Sequence, residues 1–379
     1  MRFTEEQLTF QETVRNFARK ELQDDVIRRD RDNEFFWEGW RRCAAFGIHG
    51  LPLPAEYGGS GADRLTTALA MEALGYACPD NGLIFSINAH MWSCEMPLLT
   101  FGTEKQKAAY LPTLCRGEWV GVHGVTEPDS GSDAFSLKTR AERKEDRYIL
   151  NGRKTLITNA PIADLVVVFA TVDPARGLNG VSAFLLEKGT PGFVVSREIE
   201  KMGLRTSPMG ELILEDCEVP TESRLGAEGA GNAIFQCSME WERSCILASQ
   251  VGVMARQLEA CVAYARQRTQ FGRPIGKFQL VAGKIADMKI RLETCRAILY
   301  DVAAGEKRGA DRIMDAAIAK AYISECAVQS ALDAIQIHGG YGYTTEMGIE
   351  RDLRDAVGGR LYSGTSEIQR TIIARGLGL

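Results

Sequence analysis

Over the first third of the chain, apolar positions recur every three or four residues. Phe10, Val14 and Phe17 keep this helical spacing. Thr4-Glu5-Glu6-Gln7 ahead of them reads as a capping box, with Thr4 accepting from the backbone and Gln7 reaching back. Leu51-Pro52-Leu53-Pro54 and Tyr57-Gly58-Gly59-Ser60-Gly61 interrupt the pattern as a loop, and helical material resumes over 65–116. Near Gly121 the period changes. Val122 to Thr126 predicts a short strand that ends in the loop Glu127-Pro128-Asp129-Ser130-Gly131-Ser132-Asp133. Tyr148 to Lys154 predicts a hairpin turning at Asn151-Gly152. Leu165 to Val172, Val181 to Leu186, Phe193 to Ser196 and Glu211 to Leu214 predict further strands between Gly/Pro punctuation. From Gly231 the helical period returns, with long helices expected at 231–268, 277–304 and 312–336 and a last one after Ser363. The order is helical, β, helical. It places an α+β chain in three units, 1–120, 121–228 and 229–379, with the β unit interrupting a helical body.

Composition narrows the function classes. At 379 residues the chain is too long for one ordinary core. A net charge of −5 without a basic stripe argues against nucleic-acid binding. The longest apolar run, Leu165 to Ala170, is strand-length, so no membrane span is expected. The ten cysteines form no CxxC pair and the four histidines lie far apart, so no metal site is expected and the thiols read as reduced, in a cytoplasmic protein.

Helical spacing singles out one acidic residue. Phe235, Met239, Glu242 and Ile246 share a helix face on which all but Glu242 are apolar. A carboxylate facing a core loses hydration of its charged form, which is how general bases are tuned toward neutral pH. A glutamate reaching the edge of the stripe, or paired with an arginine, gives the same pattern, and spacing leaves both readings open. Gly229-Ala230-Gly231-Asn232-Ala233-Ile234 is an incomplete dinucleotide fingerprint outside any βαβ pattern. Gly131-Ser132 could offer backbone donors to a phosphate or flavin, or be a plain turn.

Several segments in order resemble the acyl-CoA dehydrogenase family across nearly the whole chain. They are Val125-Thr126-Glu127-Pro128 with Gly131-Ser132-Asp133, Gly152-Arg153-Lys154 with Ile157-Thr158-Asn159, Arg268-Thr269-Gln270-Phe271-Gly272 with Gln279, Gln336-Ile337-His338-Gly339-Gly340, and Gly364-Thr365-Ser366-Glu367-Ile368-Gln369-Arg370. The resemblance implies an N-terminal helical domain, a middle β domain, a C-terminal four-helix bundle and bound FAD. Val125, Thr126, Gly131, Ser132 and Thr158 match the segment along the flavin ring and ribityl arm. Arg268, Phe271, Ile275 and Gln279 match positions that hold the adenosine diphosphate part. Gln336, Gly339 and Gly340 match positions supplied by a neighbouring subunit, so a homotetramer is implied. Thr365 and Glu367 belong to the last cofactor-side motif.

One departure carries information. Most of the family places its catalytic glutamate just before Gly-Thr-Ser, where this chain has Ser363. A branch resembling isovaleryl-CoA dehydrogenase carries its base before an arginine on the helix that opens the C-terminal domain. Here that position is Glu242, followed by Arg243. Ser363 is then expected to act only through its backbone N–H, as an oxyanion donor, and Ser363→Ala to be tolerated. The substrate pocket is expected around Trp241, Arg243 and Cys94. Asn159-Ala160-Pro161-Ile162-Ala163-Asp164, Met239-Glu240-Trp241-Glu242-Arg243 and Tyr362-Ser363-Gly364-Thr365-Ser366 also resemble the prolyl-carrier-protein dehydrogenases of pyrrole natural-product pathways. That match implies α,β-dehydrogenation of L-proline held as a thioester on an acyl or peptidyl carrier protein, oxidised toward a pyrrole-2-carboxyl group. Leu156 and His338 depart from residues common at their positions, an aromatic and a phenylalanine. The alternatives are a short- or branched-chain acyl-CoA dehydrogenase using free CoA thioesters, a flavin oxidase or monooxygenase on the same scaffold, and a silent scaffold. The sequence leaves the electron acceptor unnamed.

Overall fold

The change of period at Gly121 is a change of architecture in the computed structural model, which describes residues 3–305 and 310–379. The first helix, Glu5–Glu21, begins at the expected capping box: the Gln7 N–H donates to Thr4 Oγ1 at 3.1 Å and the Thr4 N–H to Gln7 Oε1 at 3.1 Å. Helices Val26–Asp32, Trp37–Phe46, Arg64–Ala77, Asn81–His90 and Glu104–Cys115 follow before the sheet. Met91–Glu95 is a π-turn between Asn81–His90 and the short helix Met96–Phe101.

Eight strands follow: β1 (Gly121–Gly124), β2 (Arg140–Lys144), β3 (Arg147–Thr158), β4 (Leu165–Thr171), β5 (Val181–Glu187), β6 (Phe193–Glu198), β7 (Met209–Pro220) and β8 (Arg224–Leu225). They form one sheet in the order β6-β7-β3-β2-β4-β5-β8, with β1 added parallel to β4. β4 reads as an unbroken apolar run because both its faces are covered. Leu165, Val167 and Phe169 enter the main core shared with the helices, whereas Val166, Val168 and Ala170 enter a second core with Leu212 and Leu214 of β7.

The expected Asn-Gly hairpin does not form. Asn151 and Gly152 lie inside the twelve-residue β3, at a bulge against β7. Asn151 is held there by Asp216, donating to its carboxylate at 3.1 Å and accepting from its N–H at 2.8 Å. The real turn is Glu145-Asp146, between β2 and β3. Strand β2, rich in charge and mostly exposed, gave no apolar alternation to read.

After the sheet come helices Gly231–Cys245, Ala248–Gln267, Gln279–Ala304 and Ala310–His338, then Ile349–Gly358 and Ser366–Gly376. The single helix expected over 231–268 is two, broken at Ile246-Leu247, because its halves have different partners. Gly231, from the weak nucleotide fingerprint, packs on β5, where a Cβ would fall 2.7 Å from the Val181 carbonyl oxygen. The second half crosses Arg64–Ala77 in backbone contact. A Cβ on Gly252 would sit 2.1 Å from the Glu72 oxygen, and one on Gly75 1.9 Å from the Ser249 oxygen. This crossing joins the N- and C-terminal helices into one body. Among the described residues, no helix is long and apolar enough to cross a membrane.

Candidate active site

The face defined by Phe235, Met239, Glu242 and Ile246 is turned inward. Met239 and Ile246 are buried, and Phe235 packs edge-on against Phe135 and against Phe169 of β4. Glu242 is 6% exposed. Its carboxylate oxygens are each engaged by a hydroxyl: Ser238 Oγ donates to Oε1 at 3.1 Å, and Ser363 Oγ donates to Oε2 at 2.5 Å. The arginine pairing left open by the spacing is therefore not what holds it.

Ser363 lies in a turn whose backbone is fixed from behind. Its own φ is 54° and that of Gly364 is 88°, both left-handed. The Ser363 carbonyl accepts from Arg243 Nε at 3.3 Å and Gln369 Nε2 at 3.1 Å. The Gly364 carbonyl accepts from Lys320 Nζ at 2.6 Å and Gln369 Nε2 at 2.8 Å. Arg243 and Lys320 are buried cations. Burial lowers the pKa of both, and takes Lys320 to about 8 with help from the Arg243 charge. Thr365 then starts the next helix, its Oγ1 accepting from the Ile368 N–H at 3.3 Å, and Glu367 is exposed in the first turn. Tyr362, just before Ser363, accepts from Gln250 Nε2 at 3.1 Å. Burial raises its phenol, with the Glu242 charge adding.

The two flavin-side signatures meet physically. The Thr155 N–H donates to the Thr126 carbonyl at 2.9 Å, and Lys154 Nζ donates to the Val125 carbonyl at 3.2 Å and to Glu127 Oε1 at 2.7 Å. Val125 is buried, Thr126 and Thr158 are half-buried, and Gly131 and Ser132 are exposed. Thr158 ends β3 opposite Met209. His123, two residues before Val125, feels the Glu242 charge. Burial lowers its pKa and Glu242 opposes that.

Trp241 and Cys94 have different surroundings from Glu242. Trp241 is one residue earlier, about 100° round the helix. It is sandwiched between Trp92, at 5.4 Å and nearly parallel, and the Arg64 guanidinium at 4.3 Å. Cys94 is fully buried beneath β1, where its sulfur would meet a Cβ on Gly121 at 2.7 Å. His90 Nδ1 accepts from the Gly121 N–H at 2.8 Å beside it.

A concavity of about 420 Å³ is bordered by Tyr264, Arg268, Ile275, His338, Gly339 and Gly340. It brings Arg268 and the Gly339-Gly340 pair together within one chain. A Cβ on either glycine would meet nothing within 4 Å, so the backbone there is open to a ligand. A cation beside bare backbone is a donor set that fits a diphosphate. Phe271, at the tip of a small hairpin with φ 49°, is 93% exposed, and Gln279 and Gln336 are also exposed and outside this lining. Lys320 and His338 share one helix, separated along it by about 27 Å at about 1.5 Å per residue. The diphosphate-type cavity thus lies far along that helix from the Lys320 end, which holds the Ser363-Gly364 turn.

Sequence reasoning missed Ser238, Lys320 and the Ser363 hydroxyl. Ser238 stands four residues before Glu242, a spacing that could have flagged it. Lys320 and Ser363 carry no local signal, because their partners lie far away in sequence.

Comparison with known proteins agrees along the chain's whole length. The family description "Acyl-CoA dehydrogenase, N-terminal domain" matches residues 4–118, the middle-domain description 123–217 and the C-terminal-domain description 229–378. An L-prolyl-peptidyl-carrier-protein dehydrogenase of Serratia sp. is 45% identical over 97% of this chain and 95% of its own. The crystal structure of the prolyl acyl carrier protein oxidase AnaB has a TM-score of 0.96 at 53% identity, covering 100% of both chains. PigA with FAD and proline has a TM-score of 0.97 at 44% identity, covering 100% of this chain and 99% of its own. With three matching domains and relatives this similar over nearly their full length, the chain belongs to the acyl-CoA dehydrogenase family.

Proposed function

We propose that the protein is an FAD-dependent dehydrogenase that oxidises the L-prolyl group held as a thioester on a carrier protein, with Glu242 as the base. The observation that carries the base assignment is the buried Glu242 carboxylate, aimed by two hydroxyls, beside the turn where most of the family carries its glutamate. The substrate class rests on the printed names of the relatives above and on the shared segments around Asn159, Glu242 and Ser363.

A thioester carbonyl acidifies the α C–H because the developing enolate spreads onto oxygen. Glu242 takes that proton. It keeps little contact with water, so its charge acts in a medium of low screening. The Ser363 N–H donates to the carbonyl oxygen as charge develops there. Arg243, Gln369 and Lys320 keep the turn from rotating away, because its carbonyls are already engaged on their side. FAD, when bound, supplies the two-electron acceptor for the hydrogen leaving the β carbon. Val125, Thr126, Gly131, Ser132 and Thr158 would line its flavin arm, and Arg268 with Gly339-Gly340 its diphosphate.

The chain works as an oligomer, for which the family norm is a homotetramer. The helix-length separation of the Lys320 end from the diphosphate cavity supports sites shared between copies, as do the exposed Phe271 (93%), Leu280 (88%) and Tyr343 (83%).

The test is anaerobic mixing with L-prolyl carrier protein, following the bleaching of oxidised flavin, with isovaleryl-CoA in parallel. Bleaching by the prolyl carrier alone is expected. Bleaching by the CoA ester alone would transfer the protein to ordinary acyl-CoA oxidation. The 53% identical AnaB is named an oxidase, which favours a second reading for the reoxidation half. Fast reaction of the reduced enzyme with oxygen, releasing peroxide, would select it.

A further inference from the structure

We propose that Ser363 is a positioning residue for the base: its hydroxyl, together with that of Ser238, holds the Glu242 carboxylate aimed before substrate arrives. This rests on the reading of Glu242 as base. It replaces the expectation that Ser363 acts only through its backbone N–H and that Ser363→Ala is tolerated, because the hydroxyl reaches the Glu242 carboxylate.

The argument begins with what burial removes. A carboxylate with 6% exposure has lost most of its water, and an ionised one then needs donors on both oxygens. Here each oxygen has one. Ser238 sits one turn earlier on the same helix, so its contact is set by helix geometry. Ser363 comes from a loop 121 residues away, and a loop side chain is as well placed as its backbone is fixed. Four donor contacts fix that backbone: Arg243 and Gln369 on the Ser363 carbonyl, Lys320 and Gln369 on the Gly364 carbonyl. The hydroxyl is therefore carried by a clamped turn, not by a mobile one.

The chemistry of a hydroxyl suits both ends of the proton transfer. It donates to the carboxylate before transfer and can accept from the carboxylic acid after it. Each carboxylate oxygen has a second lone pair, so a single donor on each leaves Glu242 free to attack a C–H. A carboxylate at 363 would do the opposite. Two acidic groups in hydrogen-bond contact share one proton, and the base would be half-occupied before substrate bound. Serine at 363 thus removes a competitor for the proton while keeping a donor on Glu242. Ionisable groups that interact with Glu242 include Arg243 on its own helix, His123 on β1 and Tyr362 in the loop. All three stay in place in the variants below.

The test uses the flavin-loaded enzyme with prolyl carrier protein and compares Ser363→Ala, Ser238→Ala and Glu242→Gln. Ser238→Ala guards against a folding artefact, since alanine is the best helix former and the site is mid-helix. Each serine variant is expected to lower the single-turnover bleaching rate by about ten- to a hundredfold, as for loss of a hydrogen bond to a charged group. Each should also move the acidic limb of the rate–pH profile to higher pH, because a donor to the charged form is gone. FAD content and KM should stay near wild type. Unchanged rates and an unmoved limb in Ser363→Ala, with Glu242→Gln inactive, would overturn the proposal and leave the base reading standing. A slower Ser363→Ala with an unmoved limb and lost FAD would also overturn it, in favour of a structural role. An active Glu242→Gln would instead remove the base reading itself.

Discussion

Lys154 buries its ammonium 2.7 Å from the Glu127 carboxylate, and this ion pair ties the Val-Thr-Glu-Pro segment to strand β3. Neither side chain reaches solvent to any extent. Glu127 is further held by the Thr139 hydroxyl at 2.5 Å and the Thr139 and Lys138 N–H groups. Burial works against the Glu127 charge, but Lys154, Thr139 and Lys138 keep its carboxyl below the usual range, while burial takes Lys154 to about 8. Family motifs that look like cofactor signatures therefore include the scaffold that aims the cofactor-side backbone.

That pair gives the first prediction. Lys154→Met leaves Glu127 buried without its counter-ion, and breaking a buried pair costs about 3–5 kcal/mol. A melting temperature lowered by several degrees and a fall in bound FAD are expected, read by thermal denaturation and flavin absorbance. Adding Glu127→Met should recover part of the stability, because the unpaired charge is gone. It should not recover FAD binding, because the Val125 carbonyl has lost its donor. Full recovery of both would assign Lys154 a stability role alone.

Glu242→Gln is nearly isosteric and can still accept the Ser238 or Ser363 hydroxyl. Folding and flavin content should match wild type. Dehydrogenation should fall by at least a thousandfold, within the range typical for removing a general base. Anaerobic bleaching with prolyl carrier protein measures this directly, and a variant within tenfold of wild type would rule out Glu242.

The diphosphate assignment can be separated from folding. A Cβ on Gly340 would meet nothing within 4 Å, so Gly340→Ala adds bulk on the ligand side without a clash in this chain. The apo protein should melt as wild type does, while FAD retention through gel filtration falls sharply. Arg268→Ala should do the same by removing an exposed cation. Retained FAD in both would move the diphosphate site elsewhere.

Legibility in the sequence followed the range of each interaction. The capping box at Thr4 and the Glu242 face were readable because their partners lie three or four residues away. Asn151-Gly152 was misleading because a β-bulge and a hairpin turn use the same residues, and the partner that decides, Asp216, is far along the chain. The break at Ile246-Leu247 was invisible because each half of that helix is periodic by itself. The Ser363 hydroxyl was unreadable for a similar reason: the motif fixes the turn, but only the packed structure says what the turn faces.

Buried imidazoles give a last prediction, for stability against pH. Burial holds His49 well below the ordinary imidazole pKa and lowers His123 and His338 as well. These groups bind a proton less readily in the fold than in the unfolded chain, which takes up protons once pH falls below about 6.5. The unfolded state then binds more protons, so their contribution to stability is present above about pH 6.5 and is lost as pH falls below it. Asp355 has the opposite sign: burial pushes it up to about 6, so the fold binds a proton there before the unfolded chain does. Burial raises Glu95 in the same way and adds to the Asp355 side, so the histidine contribution is read as a difference in slope between wild type and a variant. His49 is the cleanest test, being fully buried with its ring 4.2 Å from Trp40 and 5.4 Å from His90, away from Glu242. His49→Leu should flatten the slope by about one proton in urea melts across that range. An unchanged slope would mean that His49 is as easily protonated in the fold as in the unfolded chain, which its complete burial argues against.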